Sequence, residues 1–300
     1  MITVKNVSKS FEGFMALSDL EMNVKKGSIY GLVGTNGAGK TTVIKHIAGV
    51  YKENQGLIQI EGEPVYDNSF IKERIGYVPD DLYFFGSYSL KEMGRFYKGI
   101  YPNWSQERFD AMVARFGLNP NQKLTRFSKG MQKQATFILT MSTRPDYLIL
   151  DEPIDGLDPI IRKLVWKYIV DDVAEREMTV LVSSHNLREM ENICDAIGII
   201  SGGKMVIERD LDELRSDIHK VQLAFSDKEK AEGELESLNI LHREHRGSVE
   251  LLIIRNRKDE VEALMEKVKP VIFDMLPLTL EEIFIYELGG ADDEIQGIIF

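Results

Sequence analysis

The sequence has few of the features that mark secreted, disulfide-stabilised or membrane-spanning proteins. Its 300 residues include a single cysteine, Cys194, so an internal disulfide cannot form and a reducing compartment is favoured. No apolar run reaches the roughly 18 residues of a transmembrane helix, so no bilayer-spanning segment is predicted. The first residues lack the charged-then-apolar pattern of a signal peptide, and we expect the chain to stay in the cytoplasm.

Positive charge is also in deficit. The formal net charge is −11, with 37 Lys and Arg against 48 Asp and Glu, and most of the acidic excess lies in residues 221–300. Proteins that bind nucleic-acid phosphates usually carry a basic surface. The composition therefore argues against nucleic-acid binding, whereas 43% hydrophobic and 28% charged residues are typical of a folded globular protein.

Short apolar segments alternate with helical patterns through residues 1–215. Period-two alternation near the start indicates strands, and later buried-strand signals at 29–33, 147–150 and 180–182 are separated by helical stretches. This alternation predicts an α/β fold with a mostly parallel sheet and helices on its faces. Residues 82–143 interrupt it and are predicted to form a helical insert.

Three serines in this insert mark predicted helix starts. Ser89 has a glutamate three residues on, which is a capping box. Ser105 precedes a helix that runs to Phe116, and Ser128 begins a third helix.

The last part of the chain is predicted to be a separate small domain at 216–290. Its elements follow the order βαββαβ, with the first helix at 228–238, which indicates a ferredoxin-like α+β unit. No catalytic constellation is found there. Residues 291–300 are expected to form a loose tail.

The segment Gly34–Thr41 matches the phosphate-binding loop pattern with every fixed position filled. It follows a predicted buried strand and precedes a helix, as the motif requires. The alternative is a glycine-rich turn that happens to match the pattern. Glycines let main-chain N–H groups approach phosphate oxygens, and the helix N-terminus adds partial positive charge. We expect Lys40 to reach the β- and γ-phosphates of a nucleotide, and the Thr41 hydroxyl to bind Mg²⁺.

Two acids follow the buried strand at 147–150. A parallel strand that ends in a carboxylate delivers it to the edge of the sheet where ligands bind. Asp151 is therefore a second candidate for Mg²⁺, and Glu152 is the candidate base that polarises the attacking water. His185 ends another predicted strand at the same edge and would donate to a γ-phosphate oxygen. The alternatives are an ordinary acidic turn and a structural histidine.

The order of these motifs resembles that of the nucleotide-binding subunit of an ABC transporter, over residues 1 to about 215. The resemblance implies a P-loop NTPase fold of ABC type, with an antiparallel β subdomain beside the helical insert. It also implies that Phe11 stacks on adenine, that Asp80 stands in the Q-loop and that Asp158 stands in the D-loop. The nucleotide-binding residues then expected are Phe11, Gly34, Thr35, Asn36, Gly37, Ala38, Gly39, Lys40, Thr41 and Thr42.

Residues 127–131 stand at the family's signature. The resemblance implies that Ser128, Lys129 and Gly130 face the γ-phosphate held by the other subunit of a head-to-tail dimer, so that ATP is sandwiched and hydrolysed. The second subunit is either another copy of this chain or a related one. ATP and Mg²⁺ are the expected ligands. The residues expected around the metal are Thr41, Asp151 and Asp80.

The resemblance further implies a separately encoded membrane permease as partner, and a peripheral location on the cytoplasmic face of the cell membrane. Aromatic residues at 82–86 would suit a docking surface for that permease, or else pack within the insert. The segment 280–284 resembles the C-terminal segment of antibiotic-efflux ATP-binding subunits.

This sequence departs from the family pattern at three positions. Asp80 replaces the Q-loop glutamine, Lys129 the first glycine of the signature and Met131 its glutamine. These changes leave open an ATP-gated binding module without turnover. A soluble ABC-type ATPase that acts on ribosomes or DNA is a further alternative, disfavoured by the single P-loop and the acidic charge.

Overall fold

The computed structural model describes residues 1–225, 233, 235 and 237–287. The chain divides into two compact units. The first comprises Met1–His185 and Ile193–Glu208, and the second comprises Asn186–Asn192 and the chain from Arg209 on. The domain limits predicted at 215 and 290 stay a prediction, and the tail at 291–300 lies outside the described residues.

The first unit contains a four-stranded antiparallel sheet in the order β2-β1-β4-β5. Apolar residues alternate along its strands, so one face is buried. The strands are β1 (Ile2–Phe11), β2 (Phe14–Val24), β4 (Gln55–Ile60) and β5 (Glu63–Pro64). This sheet is the predicted antiparallel β subdomain.

A six-stranded sheet has the order β10-β9-β3-β8-β7-β6. Its pairs from β9 to β6 are all parallel, and every residue of β3, β7 and β8 is buried. The strands are β3 (Ile29–Val33), β6 (Ile75–Val78), β7 (Tyr147–Asp151), β8 (Thr179–Ser184), β9 (Ala196–Ser201) and β10 (Lys204–Asp210). The parallel α/β sheet is therefore confirmed.

Some of the helices of the first unit follow strands, and those between residues 82 and 143 form the helical insert. The α-helices are α1 (Lys40–Ile47), α2 (Ser69–Lys72), α3 (Leu90–Ile100), α4 (Gln106–Phe116), α5 (Lys129–Ser142) and α6 (Pro159–Arg176). All three predicted serine caps are confirmed, because each side chain accepts a main-chain N–H of the first turn. One apolar cluster joins both sheets and α1, including Val4, Leu20, Leu32, Ile44 and Ile149.

The second unit is built on an antiparallel sheet in the order β12-β13-β11-β14, which confirms the ferredoxin-like prediction. Most of the predicted helix at 228–238 lies outside the described residues. No helix among the described residues is long and apolar enough to cross a bilayer. The elements are α7 (Leu187–Met190), α8 (Leu211–Asp217), β11 (Ile218–Ala224), β12 (Ile240–Arg246), β13 (Val249–Arg255), α9 (Lys258–Val268), β14 (Ile272–Leu276) and α10 (Leu280–Glu287).

Candidate nucleotide-binding site

The glycine-rich loop joins β3 to α1, as the motif requires. Gly37 and Gly39 adopt φ angles of 84° and 110°, which L-residues with side chains rarely adopt. A Cβ at Gly34 would collide with the carbonyl oxygen of Ile200. The loop therefore depends on glycine for two reasons, its left-handed backbone and its close approach to the neighbouring strand.

Lys40 is the first residue of α1, and its amine lies inside the loop. Its Nζ atom donates to the carbonyl oxygens of Gly34 at 2.7 Å and Thr35 at 3.2 Å, and it lies 3.3 Å from Oε1 of Glu152. The side chain is almost fully buried. The loop and the end of β7 are thus connected by a buried cation.

Asp151 ends β7 and is only 1% exposed. Its Oδ1 atom accepts a hydrogen bond of 2.8 Å from the hydroxyl of Ser183, its partner in the register with β8. Burial raises the pKa of Asp151 above its usual value, while hydrogen bonds with Ser183 and Thr41 act in the opposite direction. Its Oδ2 atom is buried without a hydrogen-bond partner among the described residues. Such an atom is suited to a metal ion or a metal-bound water.

Glu152 is held at four points. Its Oε1 atom faces Lys40, and its Oε2 atom lies 3.0 Å from Nδ1 of His185. Its backbone has φ 47°, and its main-chain N–H donates to Ser183 Oγ at 3.1 Å. Its carbonyl oxygen accepts from Lys133 Nζ at 2.9 Å. A non-glycine residue in a left-handed conformation is a frequent feature of functional sites.

Lys40 and Glu152 border a cavity of about 340 Å³ beside the loop, whereas Asp151 and His185 are not among its lining residues. Phe11 lies at its edge in an edge-on contact with Tyr51, with ring centroids 5.4 Å apart. Ala38 is absent from the lining because its side chain belongs to the apolar core. The lining consists of Phe11, Phe14, Ala16, Thr35, Asn36, Gly37, Gly39, Lys40, Thr41, Thr42, Asp80 and Glu152.

The signature residues lie apart from this lining. Ser128 caps α5 by accepting the N–H of Met131 at 3.3 Å. Lys129 and Gly130 line a second cavity, of about 450 Å³, and Asp80 borders both cavities. The chain therefore does not bring its own signature residues to the lining of its own loop cavity.

Asp158 has a local contact. Its Oδ1 atom accepts the N–H groups of Ile160 and Ile161, each at 3.0 Å, and so caps α6. This arrangement explains an aspartate followed by proline at the start of a helix. The D-loop role implied by the resemblance stays a prediction.

Sequence reasoning missed three residues near the site. Phe14 is 69% exposed and lines the loop cavity with Phe11. Ser183 contacts both Asp151 and the main chain of Glu152, and Lys133 contacts Glu152 and Asp80. Ser183 lies two residues before His185, at the end of the same buried strand, and this position was a usable signal. Lys133 belongs to no recognised motif.

Comparisons with known proteins agree with this geometry. The protein-family model described as ABC transporter matches residues 17–155 of this chain. The chain is 32% identical to the ABC transporter ATP-binding protein YtrB of Bacillus subtilis, over 97% of this chain and 99% of that protein. It is 34% identical to the bacitracin transport ATP-binding protein BcrA of Bacillus licheniformis, over 77% of each chain.

Solved structures show the same fold. An ATP binding subunit of an ABC transporter matches 72% of this chain and 92% of its own, with TM-score 0.67 and 27% identity. A dimeric bacterial ABC transporter cassette matches 70% of this chain and 99% of its own, with TM-score 0.65 and 21% identity, which supports the fold alone. The chain belongs to the ABC transporter ATP-binding protein family, as an ATP-binding and ATP-hydrolysing subunit.

Proposed function

We propose that this chain hydrolyses MgATP within a head-to-tail dimer and drives a separately encoded membrane permease. The observation that carries the proposal is the position of Glu152, whose carboxylate is held between Lys40 and His185 at the mouth of the loop cavity. A residue that acts as the base for the attacking water must be fixed beside the phosphate-binding groups. The Glu152 carboxylate meets this requirement.

The residues at the end of β7 fit a magnesium ion. Mg²⁺ prefers oxygen ligands, and the buried Oδ2 atom of Asp151 and the hydroxyl of Thr41 provide them. When bound, Mg²⁺ neutralises phosphate charge during phosphoryl transfer. Asp80 also lines the cavity, but its Oδ1 atom is paired with Lys133 at 3.1 Å. We therefore assign the metal to Thr41 and Asp151 and give Asp80 a different role.

Each remaining group has a defined task. The Lys40 amine binds phosphate oxygens, and Glu152 orients water and accepts its proton. A carboxylate only accepts hydrogen bonds, so Nδ1 of His185 carries the proton in its contact with Glu152. The other ring nitrogen, Nε2, then donates to a γ-phosphate oxygen when the ring is protonated.

The position of the signature residues supports the proposed dimer. Ser128, Lys129 and Gly130 lie at the start of α5 and outside the lining of the loop cavity. A second subunit, either a copy of this chain or a related one, would bring its own signature to this cavity. Phe11 and Phe14 would then enclose the adenine ring from the side of the antiparallel sheet.

The helical insert is the proposed docking surface for the permease. Tyr83, Phe85 and Phe96 expose large parts of their rings, and such aromatic surface suits a protein interface. A relative named for bacitracin transport supports placing the chain with the antibiotic-efflux group that uses a separate permease. This partner would hold the chain at the cytoplasmic face of the membrane.

The test is the ATP turnover of Glu152→Gln. We expect a loss of about 100-fold or more with nucleotide binding retained, because the amide cannot accept the proton. Glu177→Gln is the matched control, since Glu177 also has a left-handed backbone, φ 54°, and pairs with a lysine at 2.9 Å. Equal turnover by Glu152→Gln and the wild type would remove Glu152 as the base.

A further inference from the structure

Lys133 joins three parts of the first unit through one amine. It is the fifth residue of α5, and its Nζ atom donates to the carbonyl oxygen of Glu152 at 2.9 Å and to Oδ1 of Asp80 at 3.1 Å. The side chain is only 14% exposed. The signature helix, the segment after β6 and the end of β7 therefore meet at this residue.

The contact with Glu152 fixes a strained backbone. With φ 47°, Glu152 adopts a conformation that costs a non-glycine residue about 1 kcal/mol or more. Side chains from two other elements hold its polar main-chain atoms: Ser183 of β8 accepts from the N–H, and Lys133 of α5 donates to the carbonyl. This backbone directs the carboxylate towards Lys40 and His185, so its restraint sets the direction of the proposed base.

The contact with Asp80 compensates a charge. Asp80 lines the cavity that is proposed to hold a polyanion, where a carboxylate repels phosphate. The resemblance places a neutral glutamine at this position. The ammonium group of Lys133 supplies the matching positive charge at 3.1 Å, from a side chain that is 14% exposed to one that is 51% exposed.

We propose that Lys133 is a positioning residue for ATP hydrolysis, which sets the backbone of Glu152 and neutralises Asp80 without itself contacting the nucleotide. The inference rests on the proposed function. Because Lys133 lies on the helix that begins with the signature, displacement of that helix would reach Glu152 and Asp80 through the same amine.

The test compares turnover with nucleotide binding in four variants. Lys133→Met should lower kcat by roughly 10- to 100-fold, because a misdirected base slows the chemical step. It should raise the Kd of a fluorescent ATP analogue by a smaller factor, because the unmatched Asp80 carboxylate repels phosphate. Lys133→Arg should keep most of the turnover. In Asp80→Asn/Lys133→Gln, the amide still donates to the Glu152 carbonyl and no unmatched charge remains, so kcat should exceed that of Lys133→Gln alone.

Controls distinguish positioning from a structural role. Lys167→Met removes the lysine of another Lys–Asp pair, in which Lys167 lies 2.8 Å from Asp171 on the exposed face of α6. This variant should leave kcat unchanged. A Lys133→Met enzyme with kcat within about 3-fold of the wild type would overturn the proposal, as would loss of nucleotide affinity equal to the loss of kcat. So would equal turnover by the double variant and Lys133→Gln. An inactive Glu152→Gln beside a fully active Lys133→Met would refute this inference and leave the proposed function intact.

Discussion

Strand β7 begins and ends at charged clusters that differ in how fully their polar atoms are paired. At its start, Arg74 donates to Glu61 at 2.9 Å and to Asp146 at 2.6 Å, and the Tyr147 hydroxyl donates to Glu61 at 2.7 Å. The hydrogen bonds from Arg74 and Tyr147 lower the pKa of Glu61 to about 2. This cluster is satisfied by the protein itself.

The cluster at the other end of β7 is only partly paired. Burial raises the pKa of Asp151, its Oδ2 atom has no hydrogen-bond partner among the described residues, and Glu152 has a left-handed backbone. An acceptor that the fold leaves unmatched is available to a cation. The difference between the ends teaches that paired charges stabilise the fold, whereas a buried acceptor left unpaired beside a phosphate-binding loop marks a candidate ligand site.

The largest expected effect comes from Asp151→Asn. ATP turnover should fall roughly 100-fold or more, because the neutral amide is a poor ligand for Mg²⁺. The melting temperature without nucleotide should stay equal or rise, since the raised pKa means that the ionised carboxylate opposes folding at neutral pH. Turnover as a function of Mg²⁺ concentration and a thermal melt measure the two effects. If Asp151→Asn lost both turnover and stability, the end of β7 would stabilise the fold like its start, and the proposed difference between the two ends would be wrong.

The second prediction concerns Arg74→Met, at the start of the same strand. It should reduce the free energy of unfolding by about 1–2 kcal/mol, a value limited by solvent screening because the Glu61 side chain is 39% exposed. Turnover should not change. Urea denaturation measures the stability. Lys26→Met, which removes an exposed pair with Glu177, is the control and should lose much less stability, because solvent screens that pair. Reduced kcat in Arg74→Met would contradict the assignment of this cluster to stability.

Sequence reasoning succeeded where the signal was local. The loop at Gly34–Thr41 and the strand that delivers Asp151 depend on neighbours within about ten residues, and Ser105 caps a helix that ends before Gly117 as predicted. The contact between Lys133 and Glu152 depends on how α5 packs against β6, the neighbour of β7, and no pattern in the intervening residues encodes it.

The cluster at the start of β7 was missed for the same reason. Arg74 and Asp146 are 72 residues apart in sequence and meet only because Arg74 precedes β6, which pairs with β7 in parallel. Side-chain partners across a sheet are set by the pairing register of the strands, which cannot be predicted from a single sequence. Residues that carry a motif could therefore be predicted, but those that hold the motif in place could not.

The smallest expected effect is in the pH dependence of stability, where the two ends have opposite signs. The pKa of Glu61 is lowered, so its contribution is complete above its ordinary pKa of 4.5 and is lost as the pH falls towards about 2. The pKa of Asp151 is raised, so its penalty appears as the pH rises through that pKa and is relieved by acid.

Melting temperatures between pH 6 and pH 3 separate these contributions. Relative to the wild type, Arg74→Met should lose less stability on acidification, because the largest cause of the lowered pKa of Glu61 is removed and, of its side-chain hydrogen bonds, only that from Tyr147 remains. Asp151→Asn should lose more stability on acidification than the wild type, because the asparagine has no buried negative charge that acid could neutralise. Differences of a few degrees are expected, and parallel curves for all three proteins would show that the two ends of β7 do not differ in this way.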